Sequence, residues 1–525
     1  MAAAAGDGLD RRRRWLGVST TGYAAEGGYN GPGQPANDWA PWERSGLAAV
    51  SGVGCDFWRR PETVLDRAAA LGCDAFGLSV EWARVEPEDG RVDTGALDRY
   101  DRILSLCQDR GLLPVVTLHH RVHPWWLGGE HWLMPGSPDR FAAHVATVVE
   151  RLGARCNRWV TVHEPNTVAA AGWVLGTAPP GRLGAVSDAW AVCDNLLVAH
   201  VLAYEVVHRL QADARVTMAP RSSAVYDFHH LLVDLLSARG RGVERADLDR
   251  WLDGRRASHD REAPPAGAVD RAVRVAAAAT SPYGARAGGT HGARAVGGIR
   301  SFLRRPSPRR VVDAVYGGPH PLPLDAVAVS WHQPSPGRLL RRPSTGAGAL
   351  PRSGGAQGTS MSRRRGWWLR PAWEVPPDPG GLARWCRSPL AAVPELPRWV
   401  LDGGLAEPDD RAAPGRSARR SDGWDRPGHL RAELGALSAA AADGSPVQGY
   451  LYRSMADGHQ VGSDGARYGI FRTDRRPGEE GVDWSDLDAA GDDAAAAFRA
   501  LAADRRARPA SSGGVRRGGR AGSVT

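Results

Sequence analysis

The stretch RWVTVHEPNT, residues 158–167, raises the question of what this chain is built to do. Its first half, Arg158 to Val162, is rich in β-branched and aromatic residues and predicts a buried strand. Pro165 ends that strand, because proline has no amide donor and pushes Glu164 toward an extended conformation. A carboxylate therefore stands at the end of an apolar strand, and a catalytic acid in that place needs a second carboxylate elsewhere.

Short apolar segments alternate with amphipathic segments on both sides of this stretch. Strands are predicted near residues 15, 75, 114, 160, 216, 327, 399 and 449, with helices at 61–72, 93–111, 137–156, 189–210 and 425–444. The alternation predicts an α/β fold, and eight units predict a (β/α)8 TIM barrel with its active site at the carboxyl ends of the strands. A doubly wound open sheet is the alternative, but no glycine-rich phosphate fingerprint follows the first strand.

The composition divides the chain into a core and three less regular kinds of segment. We predict a disordered basic tail at 1–13, a single barrel at 14–502 and a disordered Arg/Gly-rich tail at 503–525. Irregular low-complexity insertions are predicted near 240–320 and at 334–366.

Charge, cysteine and hydropathy patterns bear on the partners and the compartment. The net charge is +9, but every Lys/Arg position is arginine, which indicates a coding bias more than a nucleic-acid partner. Six scattered cysteines predict reduced core residues and a cytoplasmic location. The apolar run after the N-terminal arginines is too short for an export signal. No segment is expected to reach the ~20 apolar residues of a membrane span, so no membrane partner is predicted.

Five blocks at the predicted strand ends point to one family. They read, in order, GVSTTGYAAEGGYNGPG, GLSVEWARVEPEDG, VVTLHHRVHPWWL, WVTVHEPN and VQGYLYRSMADG. They resemble the blocks of glycoside hydrolase family 1, the β-glucosidase family, from about Trp15 to Asp488. The resemblance implies a TIM barrel that hydrolyses the O-glycosyl bonds of β-glycosides with retention, by one Glu after the fourth strand and another after the seventh.

The resemblance assigns the two carboxylates. Glu164 takes the place of the acid/base, and Asp402 takes the place of the nucleophile in the sequence WVLDGG. Aspartate is one methylene shorter than glutamate, which withdraws the carboxylate by about 1–1.5 Å. We expect a separation between the ~5–5.5 Å of retaining enzymes and the ~6.5–9.5 Å of inverting ones. The alternative is that Asp402 opens a turn and has no chemical role.

Other positions depart from the family pattern. An arginine beside the nucleophile is Gly77 here, so we expect the pKa of Asp402 to rise. A sugar-binding glutamine is replaced by Ala24. We expect His163 or His332 to bond Asp402 and partly replace the missing arginine.

Four positions are assigned to substrate by the same resemblance. They are His120, His163, His332 and Gln460, where Gln460 replaces a glutamate that holds sugar hydroxyls. The losses are expected to weaken recognition of ordinary glucose, since each unpaired buried polar group costs about 1–3 kcal/mol.

A histidine-rich run, HHRVHPWWLGGEHW at 119–132, suggests a metal site as an alternative. Its candidate ligands are His119, His120, His123, Glu130 and His131. Residues 119 and 120 point to opposite sides at the end of a strand, and zinc needs three or four convergent ligands. We therefore predict no metal and no cofactor. The pair at 125 and 126, two tryptophans, fits either sugar stacking or packing.

Three classes of function remain at this point. The first is an active β-glycosidase that uses Glu164 and Asp402. The second is a catalytically impaired barrel that binds a carbohydrate or glycoside. The third is a binder of nucleic acid or another acidic polymer through the Arg-rich insert, where 285–366 contains only two acids, Asp313 and Asp325. We favour a small-molecule glycoside or oligosaccharide partner without specific nucleic-acid binding, and the sequence leaves the oligomeric state open.

Overall fold

The structure is a computed structural model. It describes residues 14–262, 268–283, 309–332, 372–388, 393, 396–408, 418–459, 466–475 and 481–507. The tail predicted at 1–13, the insertion predicted at 334–366 and the substrate-binding candidate Gln460 lie outside the described residues.

Eight parallel strands form one sheet, and they match the eight predicted positions. The strands are β1 Trp15–Ser19, β2 Ala75–Ser79, β3 Leu113–His119, β4 Arg158–His163, β5 Arg215–Ala219, β6 Val327–Ser330, β7 Arg398–Gly403 and β8 Val447–Arg453. Their order is β5-β4-β3-β2-β1-β8-β7-β6. The Ser330 amide donates to Pro220 O at 2.9 Å, and the Ser222 amide donates to Ser330 O at 2.9 Å. These bonds join β5 to β6, so the sheet closes and the predicted TIM barrel is confirmed.

The barrel interior is filled by one small apolar cluster to which all eight strands contribute. Trp15 and Trp399 meet edge to face at 5.7 Å between ring centroids. Small side chains on the facing strands, including Ala75 and Ala219, leave room for the two indoles. The interior is therefore a packed core, and space for a ligand lies only beyond the strand ends.

Fifteen α-helices within the described residues surround or cap the barrel. They are α1 Gly22–Ala25, α2 Ala40–Arg44, α3 Pro61–Ala70, α4 Trp82–Val85, α5 Thr94–Asp109, α6 Ser137–Leu152, α7 Pro165–Ala169, α8 Val186–Leu210, α9 His230–Ser237, α10 Leu248–Glu262, α11 Ala268–Thr280, α12 Arg310–Gly317, α13 Pro379–Arg387, α14 Arg426–Ala442 and α15 Ala494–Ala507. Asp93 caps α5 by accepting from the Ala96 amide at 2.9 Å. The predicted helices are all present.

Shorter elements complete the described chain. Single 3₁₀ turns lie at Trp125–Leu127, His131–Leu133, Tyr226–Phe228, Arg239–Arg241, Arg245–Asp247 and Ala372–Glu374, and a π-helical turn lies at Ala170–Val174. Two short antiparallel pairs join Glu407–Pro408 to Ala466–Arg467 and Thr473–Arg475 to Val482–Trp484.

Two predicted segment assignments are wrong. The region near 240–320, predicted to be irregular, contains α10, α11 and α12 in its described parts. Their arginine- and alanine-rich sequences hide the helical period. The last helix runs to Ala507, beyond residue 502 where the predicted C-terminal tail begins.

Helix α8 corrects the expectation about membrane spans. By length and composition it is apolar enough to cross a membrane, but 83% of its most apolar window is buried inside the fold. It packs against α6 and α12. A core helix enclosed in this way needs an apolar surface all round, which explains the pattern.

Candidate active site

The two candidate carboxylates end their strands in an unusual backbone conformation. Glu164 has φ 53° and ψ 53°, so the extended conformation predicted from Pro165 is wrong. Asp402 has φ 55°. Left-handed backbone at a residue other than glycine costs on the order of 1–3 kcal/mol and is typical of functional sites. Arg121, which follows β3, has φ 66° and shares the feature.

Irregular strand ends bring consecutive side chains to one place. The register of β4 shifts between Val160 and His163, and that of β7 shifts between Val400 and Gly403. In a regular strand, neighbouring residues point to opposite faces. The shifts let both His163 and Glu164 reach the mouth of the barrel, where they meet Asp402.

The carboxylates of Glu164 and Asp402 share one buried space at this mouth. They are 2% and 5% exposed, and each offers an oxygen within 4.8 Å of the other. The Ser330 hydroxyl lies between them, at 2.6 Å from Glu164 Oε1 and 3.4 Å from Asp402 Oδ2. The closest oxygens are near enough for both carboxylates to reach one anomeric carbon, and the expected separation of the carboxyl groups stays a prediction.

The environment of Asp402 corrects a second expectation. Burial alone would raise the pKa of Asp402, but His163, Arg453 and His120 together lower it below its ordinary value. His163 Nε2 lies 3.1 Å from Asp402 Oδ2. The pKa was expected to rise because Gly77 replaces an arginine, yet His163 and Arg453 on other strands supply the compensation.

Glu164 has a different set of partners. Burial alone would raise its pKa, but His332, Arg221 and Arg121 lower it well below its ordinary value. His332 Nε2 lies 3.1 Å from Glu164 Oε1. Burial and Arg221 lower the pKa of His332 to about 4, so its ring is neutral near pH 7. His163 therefore contacts Asp402 as expected, whereas His332 contacts Glu164.

The remaining predicted substrate position within the described residues is His120. Its ring stacks on His163 with centroids 4.4 Å apart and planes inclined by 21°. Burial and the neighbouring His163 lower the pKa of His120 well below its ordinary value. The structure thus brings His120, His163 and His332 to the two carboxylates. His459, which precedes Gln460 in the sequence, donates its amide to Ala24 O at 2.8 Å.

Sequence reasoning missed two arginines beside Glu164. Arg121 Nη1 is 3.6 Å and Arg221 Nη1 is 3.9 Å from Glu164 Oε2. Asn166 holds the backbone of Arg221 through two hydrogen bonds of 2.8 and 2.9 Å. Each arginine follows the carboxyl end of a strand, β3 or β5, so the rule that placed the other candidates also applies to them.

Two sets of three donor atoms lie within 4.8 Å of one another and resemble ligand sets. They are His120, His163 and Asp402, and Glu164, His332 and Asp402. The nearly parallel rings of the first set prevent two lone pairs from converging on one ion. Guanidinium groups beside the second set repel a divalent cation.

Of the histidine-rich run at 119–132, only His120 belongs to one of these sets. His119 accepts from Trp132 Nε1 at 3.2 Å on the far side of the strand from His120. His123 contacts Gly128 O at 3.0 Å. Of the tryptophan pair, Trp126 donates to Glu86 O at 2.7 Å, which favours packing for that residue.

Gly77 lies where the family pattern places an arginine, and its surroundings leave little room. A Cβ at this position would lie 2.7 Å from Leu451 Cδ1 and 2.9 Å from Ser19 Cβ. Leu451, a member of the barrel core, therefore packs closely against Gly77.

Comparison with known proteins gives a family match from sequence and a likeness of fold from structure. Residues 13–253 match the model of glycosyl hydrolase family 1. β-Glucosidase A of Thermotoga maritima is 31% identical over 208 residues, which cover 38% of this chain and 46% of that protein. 6-Phospho-β-galactosidase 1 of Streptococcus pneumoniae is 29% identical over 203 residues, 38% of this chain and 43% of that protein. The matches thus span less than half the length of these curated relatives.

Solved structures extend the likeness of fold to most of the chain. A family 1 β-glucosidase from Thermotoga maritima superposes with a TM-score of 0.65 at 18% identity, covering 94% of this chain and 98% of that one. The β-glucosidase from the same organism in complex with deoxynojirimycin gives 0.60 at 20% identity, covering 88% and 93%.

Proposed function

We propose that this chain, a relative of glycosyl hydrolase family 1, hydrolyses the O-glycosyl bonds of β-glycosides. Glu164 is proposed as the acid/base and Asp402 as the nucleophile. The observation that carries the proposal is that these two buried carboxylates, from β4 and β7, offer oxygens within 4.8 Å of each other. This closeness is consistent with the retaining, two-step reaction of the family pattern, in which both carboxylates act on one anomeric carbon.

The chemistry assigns one task to each carboxylate. Asp402, whose pKa is held low by His163 and Arg453, attacks the anomeric carbon and forms a glycosyl ester. Glu164 protonates the leaving oxygen and then takes a proton from the water that cleaves the ester. His120, His163 and His332 line the same space and are proposed to contact the sugar. Gln460 remains a proposed contact from the family pattern.

A second candidate is a catalytically impaired barrel that binds a carbohydrate or glycoside. The observation that favours it is the low pKa of Glu164, since an acid catalyst has to carry a proton when the leaving group departs. Asp402 also has a shorter side chain than the glutamate of the family pattern.

Hydrolysis of a panel of aryl β-glycosides separates the two candidates. We expect Glu164→Gln to lower kcat/KM by about 10²–10⁴-fold, and Asp402→Ala to lower it at least as much. The anomer first released, followed by NMR, is expected to retain the β configuration. An Asp402→Ala variant as active as the parent would remove Asp402 from the mechanism. Saturable binding of a glycoside without turnover in the parent would favour the second candidate.

Location and partners complete the proposal. All six cysteines are buried and free, which supports a reducing, cytoplasmic location and a role in carbohydrate metabolism. A small-molecule glycoside is the proposed partner. The Arg-rich segment behind the nucleic-acid alternative lies mostly outside the described residues, and that alternative has no support from the site.

A further inference from the structure

Two guanidinium groups converge on a single carboxylate oxygen without forming a hydrogen bond to it. Arg121 Nη1 and Arg221 Nη1 stand 3.6 and 3.9 Å from Glu164 Oε2. That oxygen is buried and has no hydrogen-bond partner among the described residues, and the same holds for Arg121 Nε. The two cations are therefore near the carboxylate while most of their donor capacity is unused.

Positive charge gathers on one side of Glu164. Arg121 and Arg221 both lower its pKa, so two guanidinium groups face one carboxylate. Burial keeps the nearby His332 ring neutral. Buried charge without full pairing is costly, and a ligand of negative charge would relieve this cost.

The two arginines are also more accessible from solvent than Glu164 is. The Arg221 side chain is 31% exposed and that of Arg121 is 19% exposed, whereas Glu164 is 2% exposed. A ligand that enters from solvent thus reaches the guanidinium groups before it reaches the carboxylate. The fork of an arginine matches the oxygens of a carboxylate or a phosphate.

We propose that this pocket takes an anionic glycoside, whose carboxylate or phosphate group binds the guanidinium groups of Arg121 and Arg221. The choice of a glycoside rests on the proposed hydrolase function, and the anion site rests on the arginine geometry. A neutral glucoside leaves both guanidinium groups without a new partner and is the weaker ligand.

Binding of the anion also bears on catalysis. The groups that face Glu164 are Ser330 in β6, Asp402 in β7, and three side chains that follow strands, Arg121 after β3, Arg221 after β5 and His332 after β6. A negative group on the two guanidinium groups offsets their pull on Glu164. Its pKa then moves upward, toward the range in which an acid catalyst holds its proton.

Equilibrium binding to the full chain tests the proposal without relying on turnover. The probes are the 4-nitrophenyl β-glycosides of glucuronic acid, of glucose 6-phosphate and of glucose, which separate a carboxylate source from a phosphate source. We expect at least one anionic probe to bind about tenfold or more tightly than the neutral one, with inorganic phosphate competing. We expect Arg121→Gln and Arg221→Gln each to reduce that preference, while the exposed Arg140→Gln leaves it unchanged.

The outcomes keep the two proposals apart. A neutral probe that binds as tightly as both anionic probes to the parent chain overturns the anion site, even if all three probes are hydrolysed. A preference that survives in the Arg121→Gln/Arg221→Gln double variant also overturns it. A clear preference without any turnover sustains the anion site and counts against the hydrolase. The comparison of probes on the parent chain decides the matter if a variant fails to fold.

Discussion

Two buried clusters of charged side chains lie at the same end of the barrel, and they differ in how fully their polar atoms are bonded. The Arg84 cluster consists of Glu26, Tyr29, Glu81, Arg84 and Tyr100. The Glu164 cluster consists of Arg121, His163, Glu164, Ser330, His332 and Asp402. In the described structure, no buried polar side-chain atom of the first lacks a hydrogen bond, whereas Glu164 Oε2, His163 Nδ1 and Arg121 Nε of the second do.

The bonding of the Arg84 cluster is dense. Arg84 Nε donates to Glu26 Oε2 and to Tyr29 Oη, both at 3.0 Å, and Nη2 donates to Gly27 O at 2.7 Å. Tyr100 donates to Glu26 Oε1 at 2.7 Å. A satisfied network of this kind stabilises and specifies the fold, whereas unused donors and acceptors indicate a place for a ligand.

Removal of one arginine from each cluster is expected to give the largest difference. We expect Arg84→Met to lower the free energy of unfolding by about 3–5 kcal/mol, because it leaves the Glu26 carboxylate buried without its cation. We expect Arg121→Met to change it by less than about 1 kcal/mol, since Arg121 makes no short bond to Glu164 and Arg221 remains nearby. Urea denaturation of both variants measures the contrast.

Equal losses of unfolding free energy in the two variants would mean that the Glu164 cluster contributes as much to stability as the Arg84 cluster does. A large loss of stability in Arg121→Met alone would mean that the Glu164 cluster, and not the Arg84 cluster, stabilises the fold. Hydrolysis by the folded fraction of Arg84→Met, compared with the parent, separates a loss of stability from a loss of chemistry.

The second prediction concerns the pH dependence of the Arg84 cluster. Burial, and then the nearby Glu26, raise the pKa of Glu81 to about 8 from its ordinary 4.5. The folded state therefore holds a proton on Glu81 that the unfolded state has lost, so stability falls as pH rises through this window. The decline is at most about 1.4 kcal/mol per pH unit. We expect Glu81→Gln to remove this decline. Urea unfolding midpoints measured at about pH 5.5 and 7.5 would then differ less in the variant than in the parent. A parent and variant with parallel pH profiles would contradict the raised pKa.

The difference between the clusters also explains what the sequence could and could not predict. The eight strands follow from hydrophobic periodicity, whereas the meeting of Glu164 with Asp402 was implied by the family resemblance and agrees with the common edge of parallel strand ends. The resemblance to glycoside hydrolase family 1, predicted from the strand-end blocks, is confirmed by the family model and by the related proteins. The roles of the individual site residues stay predictions.

The missed features depend on backbone geometry that no residue pattern specifies. Positive φ at Glu164 and Asp402, with the register shifts of β4 and β7, sets which atoms face each other. The predicted direction of the Asp402 pKa shift is wrong because the loss of arginine at 77 was given more weight than the histidine contact, and Arg453 was not considered. His163 and Arg453 approach Asp402 from β4 and β8, and their distances are properties of the closed barrel.

Gly77 gives a third test, on the boundary between the packed core and the site. We expect Gly77→Ala to cost about 1–3 kcal/mol, because the added Cβ meets Leu451 and Ser19 at less than 3.0 Å. Gly254 in α10 is a matched control with open space around it, and Gly254→Ala is expected to add about 0.5–1 kcal/mol of stability. Thermal denaturation of both variants checks the signs. A neutral Gly77→Ala would show that Leu451 and Ser19 yield easily to the added methyl group.

The smallest expected effect separates two serines that both reach Asp402. Ser330 donates to Glu164 Oε1 at 2.6 Å and lies 3.4 Å from Asp402, whereas the Ser19 hydroxyl has only contacts of 3.4 Å, to Asp402 Oδ1 and Tyr452 O. Hydrogen bonds weaken at such lengths, so Ser330 fixes the position of Glu164 and Ser19 contributes little. We expect Ser330→Ala to lower kcat/KM about tenfold and stability by about 1 kcal/mol, and Ser19→Ala to change kcat/KM by less than about threefold. Equal effects of the two substitutions on kcat/KM would show that the short bond to Glu164 does not position it for the reaction.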